Sequence, residues 1–190
     1  MVRFVGIDPA TKTGVVALNE RGDVVLEVEL KGAGKAEKGG ITIAQLVDLE
    51  NQLYQIIEPG DETVIEQAAA GTQKGITTGM VHGGLRSIIH RKGLVYHEIN
   101  PLQTKKYVGV TGWKGEAGSK VRLKDKEKKE AVGKAVQELF GYRHKSDNVV
   151  DAYIIARAAW NLYLLREYKP LVDTLPFQVE VIQGILDKAK

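Results

Sequence analysis

The chain of 190 residues predicts a single α/β domain built on a five-stranded mixed sheet with helices on both faces. Two observations lead to this fold class. Three strand-like segments follow one another at the amino terminus, and the rest of the chain alternates helical and strand-like patterns. With 43% hydrophobic residues, a chain of this length fills one compact core, whereas a second domain would be cramped.

The elements of the sheet are predicted from apolar periodicity and from the turn residues between segments. Three strands at 2–8, 13–19 and 23–30 are expected to form an antiparallel meander, because short turn-rich segments separate them. A helix at 41–57, a short buried strand at 63–67, a helix at 73–91 and a fifth strand at 93–100 follow. Pro101 then opens a helix at 101–109, in a position that favours proline.

The carboxyl-terminal part is predicted to be helical after one irregular segment. Residues 110–124 contain several glycines and no periodicity, which predicts a mobile loop. Helices at 125–141 and 146–168 follow, the first stopped by Gly141 and the second capped by Ser146 or Asp147. This order of elements is that of the RNase H-like fold. Residues 1–168 are assigned to that domain, and residues 169–190 to a C-terminal tail of undetermined structure.

Charge is distributed unevenly along the chain. Residues 105–145 contain twelve Lys or Arg and five Asp or Glu, a charge of +7 within a total of +3, which leaves −4 elsewhere. A basic surface on a mildly acidic body indicates nucleic-acid binding, and a solvated charged helix is the alternative. The absence of cysteine excludes disulfides and thiolate metal sites, so any metal would have oxygen or histidine ligands. Without a signal peptide or an apolar stretch long enough for a bilayer, we expect a soluble cytoplasmic protein with no membrane partner.

Four carboxylates form the candidate site: Asp8, Glu66, Asp147 and Asp151. Asp8 and Glu66 end the first and fourth strands, which lie side by side in the expected sheet. Asp147 and Asp151 share one helix face about 6 Å apart along the axis, with His144 nearby. Carboxylates brought together repel each other, and Mg²⁺ prefers such oxygen ligands. Without a nucleophilic Ser or Cys motif, the set indicates phosphodiester hydrolysis by two metal ions about 4 Å apart.

Each acid also has an ordinary structural interpretation. Asp8 precedes Pro9 and could start a turn, Glu66 could be a surface strand end, and Asp147 could be a helix N-cap. Asp151 is hardest to explain in this way, because its helical neighbours are apolar and an unpaired buried carboxylate is costly.

Four segments, taken in order, resemble the RuvC-like Holliday junction resolvases, especially the short bacteriophage members. The segments are "FVGIDPATKTGVVAL", "VIEQAAAGTQKGITTGMVHGGLRSII", "TKKYVGVTGWKGEAG" followed by "KKEAV", and "DNVVDAYIIARA". The resemblance spans about residues 2–165. It implies a Mg²⁺-dependent endonuclease, with Mn²⁺ as a substitute, that acts as a homodimer and nicks opposed strands of a four-way DNA junction symmetrically. The helix at 73–91 is the expected dimer surface.

The resemblance also assigns roles to residues by position. Asp8, Glu66 and Asp151 match the metal-binding acids. Asp147 is assigned as the fourth, with His144 and Asn148 in reserve, because many relatives place this acid where Asn148 stands. The expected DNA-binding residues are Lys105, Lys106, Trp113, Lys114 and Lys129. Either Lys105 or Lys106, together with Lys129, matches the lysines that hold the scissile phosphate, and a solvated helix face is the alternative for them.

One departure from the family concerns the aromatic residue that relatives often carry shortly after the glutamate. This chain has alanine at 68–70, so Trp113 is the candidate for stacking at the junction centre, unless it packs on its own protein. Two other functions remain open: an RNase H-like nuclease acting on flaps, branched DNA or RNA, and a non-catalytic branched-DNA binding protein. A sugar kinase or actin-like ATPase is disfavoured because 190 residues leave no room for its second domain.

Overall fold

A computed structural model describes residues 2–35, 40–68, 75–115 and 119–188 and confirms the predicted fold class. Within these residues the strands are β1 (Phe4–Asp8), β2 (Lys12–Leu18), β3 (Val24–Lys31), β4 (Glu62–Glu66), β5 (Tyr96–Ile99), β6 (Trp113–Lys114) and β7 (Val121–Arg122). The helices of the same described part are α1 (Ile43–Ile56), α2 (Gly75–Arg91), α3 (Pro101–Tyr107), α4 (Asp125–Phe140), α5 (Asp147–Arg166) and α6 (Pro176–Lys188).

The main sheet has five strands in the order β3-β2-β1-β4-β5. β1 is antiparallel to β2 and parallel to β4, and β4 is in turn parallel to β5. Because β1 and β4 are parallel neighbours, they end at the same edge of the sheet. The final residues of both strands therefore lie next to each other, as the sequence predicted.

The two faces of the sheet are set by the alternation of side chains along β1. Val5 and Ile7 pack against the layer formed by α1 and α2. Phe4 contributes to the opposite layer, where α5 forms the centre and α3, α4 and α6 surround it. Apart from Asp151 and Arg157, residues 149–160 of α5 are apolar or aromatic and are buried.

Two glycines let the backbone of α5 approach the sheet closely. A Cβ at Gly6 would collide with the Ala152 carbonyl oxygen, and one at Gly14 would collide with the Asn148 carbonyl oxygen. Only a residue without a side chain fits at these two contacts. They fix the first half of α5 above the end of β1, which is where the candidate acids are.

The segment at 110–124 is the main local error of the sequence prediction. In its described parts, β6 and β7 pair as a short antiparallel hairpin, so the expectation of an irregular loop was wrong there. Trp113 faces Arg122, and Lys114 faces Val121 in this pairing. The strands are only two residues long, and for that reason they leave no periodic signal in the sequence.

The tail after residue 168 forms α6, which packs on α3 and α5. Its attachment includes a buried polar cluster around Asp173. The Asp173 carboxylate accepts hydrogen bonds from the Tyr107 hydroxyl at 2.7 Å and from the Asn161 amide at 2.8 Å, and it pairs with Arg157. The tail is therefore part of the folded domain. None of the described helices is both long and apolar enough to cross a membrane.

Candidate active site

Asp8 and Glu66 meet at the shared edge of β1 and β4. The register pairs Ile7 with Ile65, so the next residue of each strand lies at the end of the ladder. Asp8 is only 8% exposed and Glu66 is partly buried, and the Glu66 charge adds to the effect of burial in raising the pKa of Asp8. The two carboxyl groups therefore lie close together at this edge of the sheet.

Asp8 does not serve as the turn residue that its position before Pro9 suggested. The turn after β1 is held by Thr13, whose hydroxyl donates to the Ala10 carbonyl at 2.7 Å and accepts from the Ala10 amide at 3.3 Å. Asp8 is left free of this local role and lies beside Glu66 instead. The simple turn interpretation of Asp8 is wrong.

Asp151 joins the pair from α5. The negative charge of Asp151 adds to the effect of burial in raising the pKa of both Asp8 and Glu66, so Asp151 lies close to both carboxyl groups. Burial is the largest cause in all three cases: it raises the pKa of Asp8 well above its usual range, that of Glu66 to about 7 and that of Asp151 to about 6. Three carboxylates from three elements thus share one poorly solvated site with excess negative charge.

The helix α3 supplies the groups that offset this charge. The Lys105 ammonium lowers the pKa of each of the three acids, so it lies close to all of them. It also donates to the Pro101 carbonyl at 3.2 Å. The preceding residue, Thr104, is fully buried, and its hydroxyl donates to Oε1 of Glu66 at 2.8 Å. Sequence reasoning missed Thr104, although its place next to Lys105 in the first turns of α3 was a usable signal.

Asp147 lies farther out than the other three acids. Its side chain is 52% exposed and forms an ion pair with Lys129 of α4 at 2.9 Å. Its charge contributes to the raised pKa of Asp151. The N-cap of α5 is Ser146, so the interpretation of Asp147 as the cap is wrong.

The two reserve candidates are engaged elsewhere. The Asn148 amide donates to the Lys12 carbonyl at 2.7 Å, toward β2. The His144 ring accepts from the Ser146 amide through Nδ1 at 3.0 Å. His144 still lines a cavity of about 470 Å³ together with Lys105, Lys129, Asp147 and Asp151. This cavity opens the carboxylate site to the basic face of α4.

The remaining basic candidates separate into two groups. Lys106 turns away from the acids and pairs with Glu180 of α6, so the geometry favours Lys105 of the two. Lys114 pairs with Glu127 at 2.6 Å, and Trp113 on the same hairpin is 54% exposed. Trp113 is thus exposed to solvent on a hairpin that contacts α4, the helix that contributes Lys129 to the cavity. Of the alanines at 68–70, only Ala68 lies within the described residues, and it is exposed.

The donor atoms of this site are of the kind that a hard divalent cation prefers. As they stand, the described side chains do not form a closed set of three or more His, Asp or Glu ligands. The chemistry of the donors nevertheless matches: three carboxylates lie in a site where burial above all, together with neighbouring negative charge, raises their pKa values. A cation that prefers oxygen ligands would stabilise their charged forms.

Comparison with known proteins identifies the fold. No protein-family model matches the chain, and no curated protein matches it either. Among solved structures, the chain is similar to Thermus thermophilus RuvC in complex with a Holliday junction substrate, with a TM-score of 0.62 at 14% identity over 88% of this chain and 96% of that one. A second Thermus thermophilus RuvC structure gives a TM-score of 0.58 at 17% identity with the same coverage. At such identities the likeness shows the fold, which is RuvC-like and belongs to the RNase H-like class.

Proposed function

We propose that this chain is a metal-dependent endonuclease that resolves four-way DNA junctions. One observation carries the proposal: Asp8, Glu66 and Asp151 converge from β1, β4 and α5 beside Lys105, in a fold shared with RuvC. A buried cluster of like charges is expensive for a protein that only needs to fold. The similar RuvC structure contains a Holliday junction substrate, which supports branched DNA as the substrate class.

Asp8, Glu66 and Asp151 would hold Mg²⁺, with Mn²⁺ as a substitute, and Asp147 would complete the site. When bound, the metal would supply an activated water and charge neutralisation at the phosphate. The protein's own residues prepare the site before that. Burial keeps bulk water away from Asp8, and Thr104 holds one oxygen of Glu66. The pairing of Asp147 with Lys129 means that a metal must compete for this fourth acid.

The lysines of the cavity are proposed to bind the DNA backbone around the scissile phosphate. Lys105 lies beside the acids, and Lys129 is 60% exposed at the rim, so both can reach a phosphate in the cavity. Lys114 and Trp113 on the β6–β7 hairpin extend this surface outward. Phosphate contacts of this kind position DNA without reading its sequence. Any preference in the cleavage site would come from base contacts or from junction deformability.

A homodimer would allow two such sites to cut opposed strands. α2 is the proposed contact surface, because Ile76 on it is 84% exposed and open space surrounds Gly79 and Gly83. Small residues on a helix let a second helix approach closely. Light scattering that gives a monomer at working concentrations would contradict this part of the proposal alone.

The experiment that tests the function compares cleavage of a synthetic four-way junction, a flap and an RNA–DNA hybrid in the presence of Mg²⁺. Asp8→Asn is expected to reduce the rate of junction cleavage at least about 10³-fold and to leave junction binding intact. The control Asp23→Asn, in the exposed turn between β2 and β3, is expected to cleave the junction at the wild-type rate. Normal cleavage by Asp8→Asn would refute the site. Preference for the flap or the hybrid would identify a different nuclease, and binding without metal-dependent cleavage would indicate a binding protein.

A further inference from the structure

The Thr104 hydroxyl has a single hydrogen to donate, and its geometry shows where that hydrogen goes. The oxygen lies 2.8 Å from Oε1 of Glu66 and 3.4 Å from the Asn100 carbonyl. The longer distance is outside the normal range for an O–H donor, so the hydrogen points at Glu66. The Asn100 carbonyl is already bound by the Thr104 amide at 3.0 Å. The helix α3 therefore does not need the hydroxyl, and Glu66 receives it.

The surroundings of Thr104 make this bond a fixed one. The side chain is 0% exposed, and a β-branched residue in a helix has restricted rotation about its first side-chain bond. The same helix begins at a complete capping box, in which Asn100 accepts from two backbone amides and Gln103 reaches back to the Asn100 amide. At the end of α3, the Tyr107 hydroxyl donates a hydrogen bond to the Asp173 carboxylate of the C-terminal segment. A rigid support thus presents the hydroxyl to one oxygen of a buried carboxylate that lies close to the negative charge of Asp151.

We propose that Thr104 is a positioning residue, which orients the Glu66 carboxylate as a metal ligand. This inference rests on the proposed function, because it concerns the same metal site. Hydrogen bonds to a ligating carboxylate fix its orientation, and their loss typically lowers metal affinity by about 10- to 100-fold. Without the hydroxyl, Glu66 loses the hydrogen bond that holds its Oε1 in this orientation.

The chain provides a matched control in the same strand as Glu66. Thr63 of β4 is 2% exposed, and its hydroxyl has no hydrogen-bond partner among the residues that the structure describes. Thr63→Val and Thr104→Val make the same chemical change at buried sites. Only the second removes a hydrogen bond to Glu66.

The experiment measures Mn²⁺ binding by the DNA-free protein at pH 7.5. Binding is followed by calorimetry and by the loss of the electron paramagnetic resonance signal of free Mn²⁺. The Tm and the circular dichroism spectrum of each variant show whether it folds. Thr104→Val is expected to weaken Mn²⁺ binding about 10- to 100-fold, while Thr104→Ser and Thr63→Val stay within about threefold of the wild type. The Mg²⁺ concentration needed for half-maximal junction cleavage is expected to rise in parallel for Thr104→Val alone.

Different failures have different meanings. Wild-type affinity in Thr104→Val would overturn the role of Thr104 and leave the metal site intact. Equal losses in Thr104→Ser, which keeps the hydroxyl, and in Thr104→Val, which keeps the volume, would show that the hydroxyl alone does not maintain the affinity, which also overturns it. If Thr104→Val does not fold, Thr104→Ser still decides, because the inference requires it to retain affinity. A wild type that does not bind Mn²⁺ would refute the proposed metal site and the inference with it.

Discussion

The carboxylate of Glu66 is predicted to destabilise the metal-free protein at neutral pH, so Glu66→Gln should make it more stable. Burial raises the pKa of this carboxyl from 4.5 to about 7, with the Asp151 charge acting in the same direction. A difference of this size corresponds to about 3 kcal/mol between folded and unfolded states. Glutamine keeps the shape of a protonated glutamate, and its amide oxygen can still accept from Thr104.

The sign of the pH dependence follows from the raised pKa. Below about pH 4.5, Glu66 is protonated in both states and its full contribution to folding is present. That contribution is lost as the pH rises through about 7, because the unfolded carboxyl releases its proton first. The variant has no such loss, so the gap between the two proteins should widen from pH 5 to about pH 8 and stay constant above it.

The assay is thermal unfolding in EDTA across this pH range. For a chain of this size, about 3 kcal/mol corresponds to a Tm increase of roughly 6–12 °C at pH 9, shrinking to about 2 °C or less at pH 5. The exposed control Glu20→Gln should show no such trend. Saturating Mg²⁺ should raise the Tm of the wild type and reduce the gap, because only the wild type retains every acid of the proposed metal site. A gap that is absent, or that does not change with pH, would refute the reasoning.

Two further predictions concern the placement of α5 and the hairpin. Gly6→Ala should lower the free energy of unfolding by about 3 kcal/mol or more, because its Cβ collides with α5 backbone, whereas Gly133→Ala in open space on α4 should be neutral or slightly stabilising in the same melt. An unchanged Tm for Gly6→Ala would contradict the packing of α5 described here. Trp113→Ala should weaken junction binding in Ca²⁺ by about 1–3 kcal/mol in a gel-shift assay without changing Tm, because the ring is 54% exposed. Unaltered binding would remove Trp113 from the DNA surface.

The core of the fold was predictable because its signals are local. The apolar run before Asp8 predicted a first strand, and the structure confirms it with Phe4, Val5 and Ile7 buried. The apolar residues around Asp151 likewise predicted a buried helix in which the Asp151 carboxylate has no ordinary structural explanation. In each case the pattern needs only the residues within one element. The order of strands then follows from connection rules that are common to many proteins.

What the sequence did not reveal depends on contacts between distant segments. The role of Thr104 depends on Glu66, 38 residues earlier in the chain, and no periodicity records that pairing. The helix α6 was left open because its stability comes from burying Val181, Ile182 and Ile185 against α3 and α5. A 13-residue helix is marginal by its own propensity in water. Its formation is therefore a property of the assembled domain.

Asp147, the proposed fourth metal-binding acid, shows how far helical geometry alone can place a site residue. A spacing of four residues correctly places Asp147 near Asp151, because a helix fixes the direction of each Cβ. It does not determine which partner an exposed carboxylate chooses, and Lys129 arrives from a separate helix. Of the three residues considered, Asn148 is bound to the Lys12 carbonyl and His144 to the Ser146 amide, while Asp147 is held by an exposed ion pair. Exposed pairs contribute at most about 1 kcal/mol, so a divalent cation or a DNA phosphate that attracts Lys129 can displace this one. Asp147 is thus the acid whose position substrate binding can change most readily.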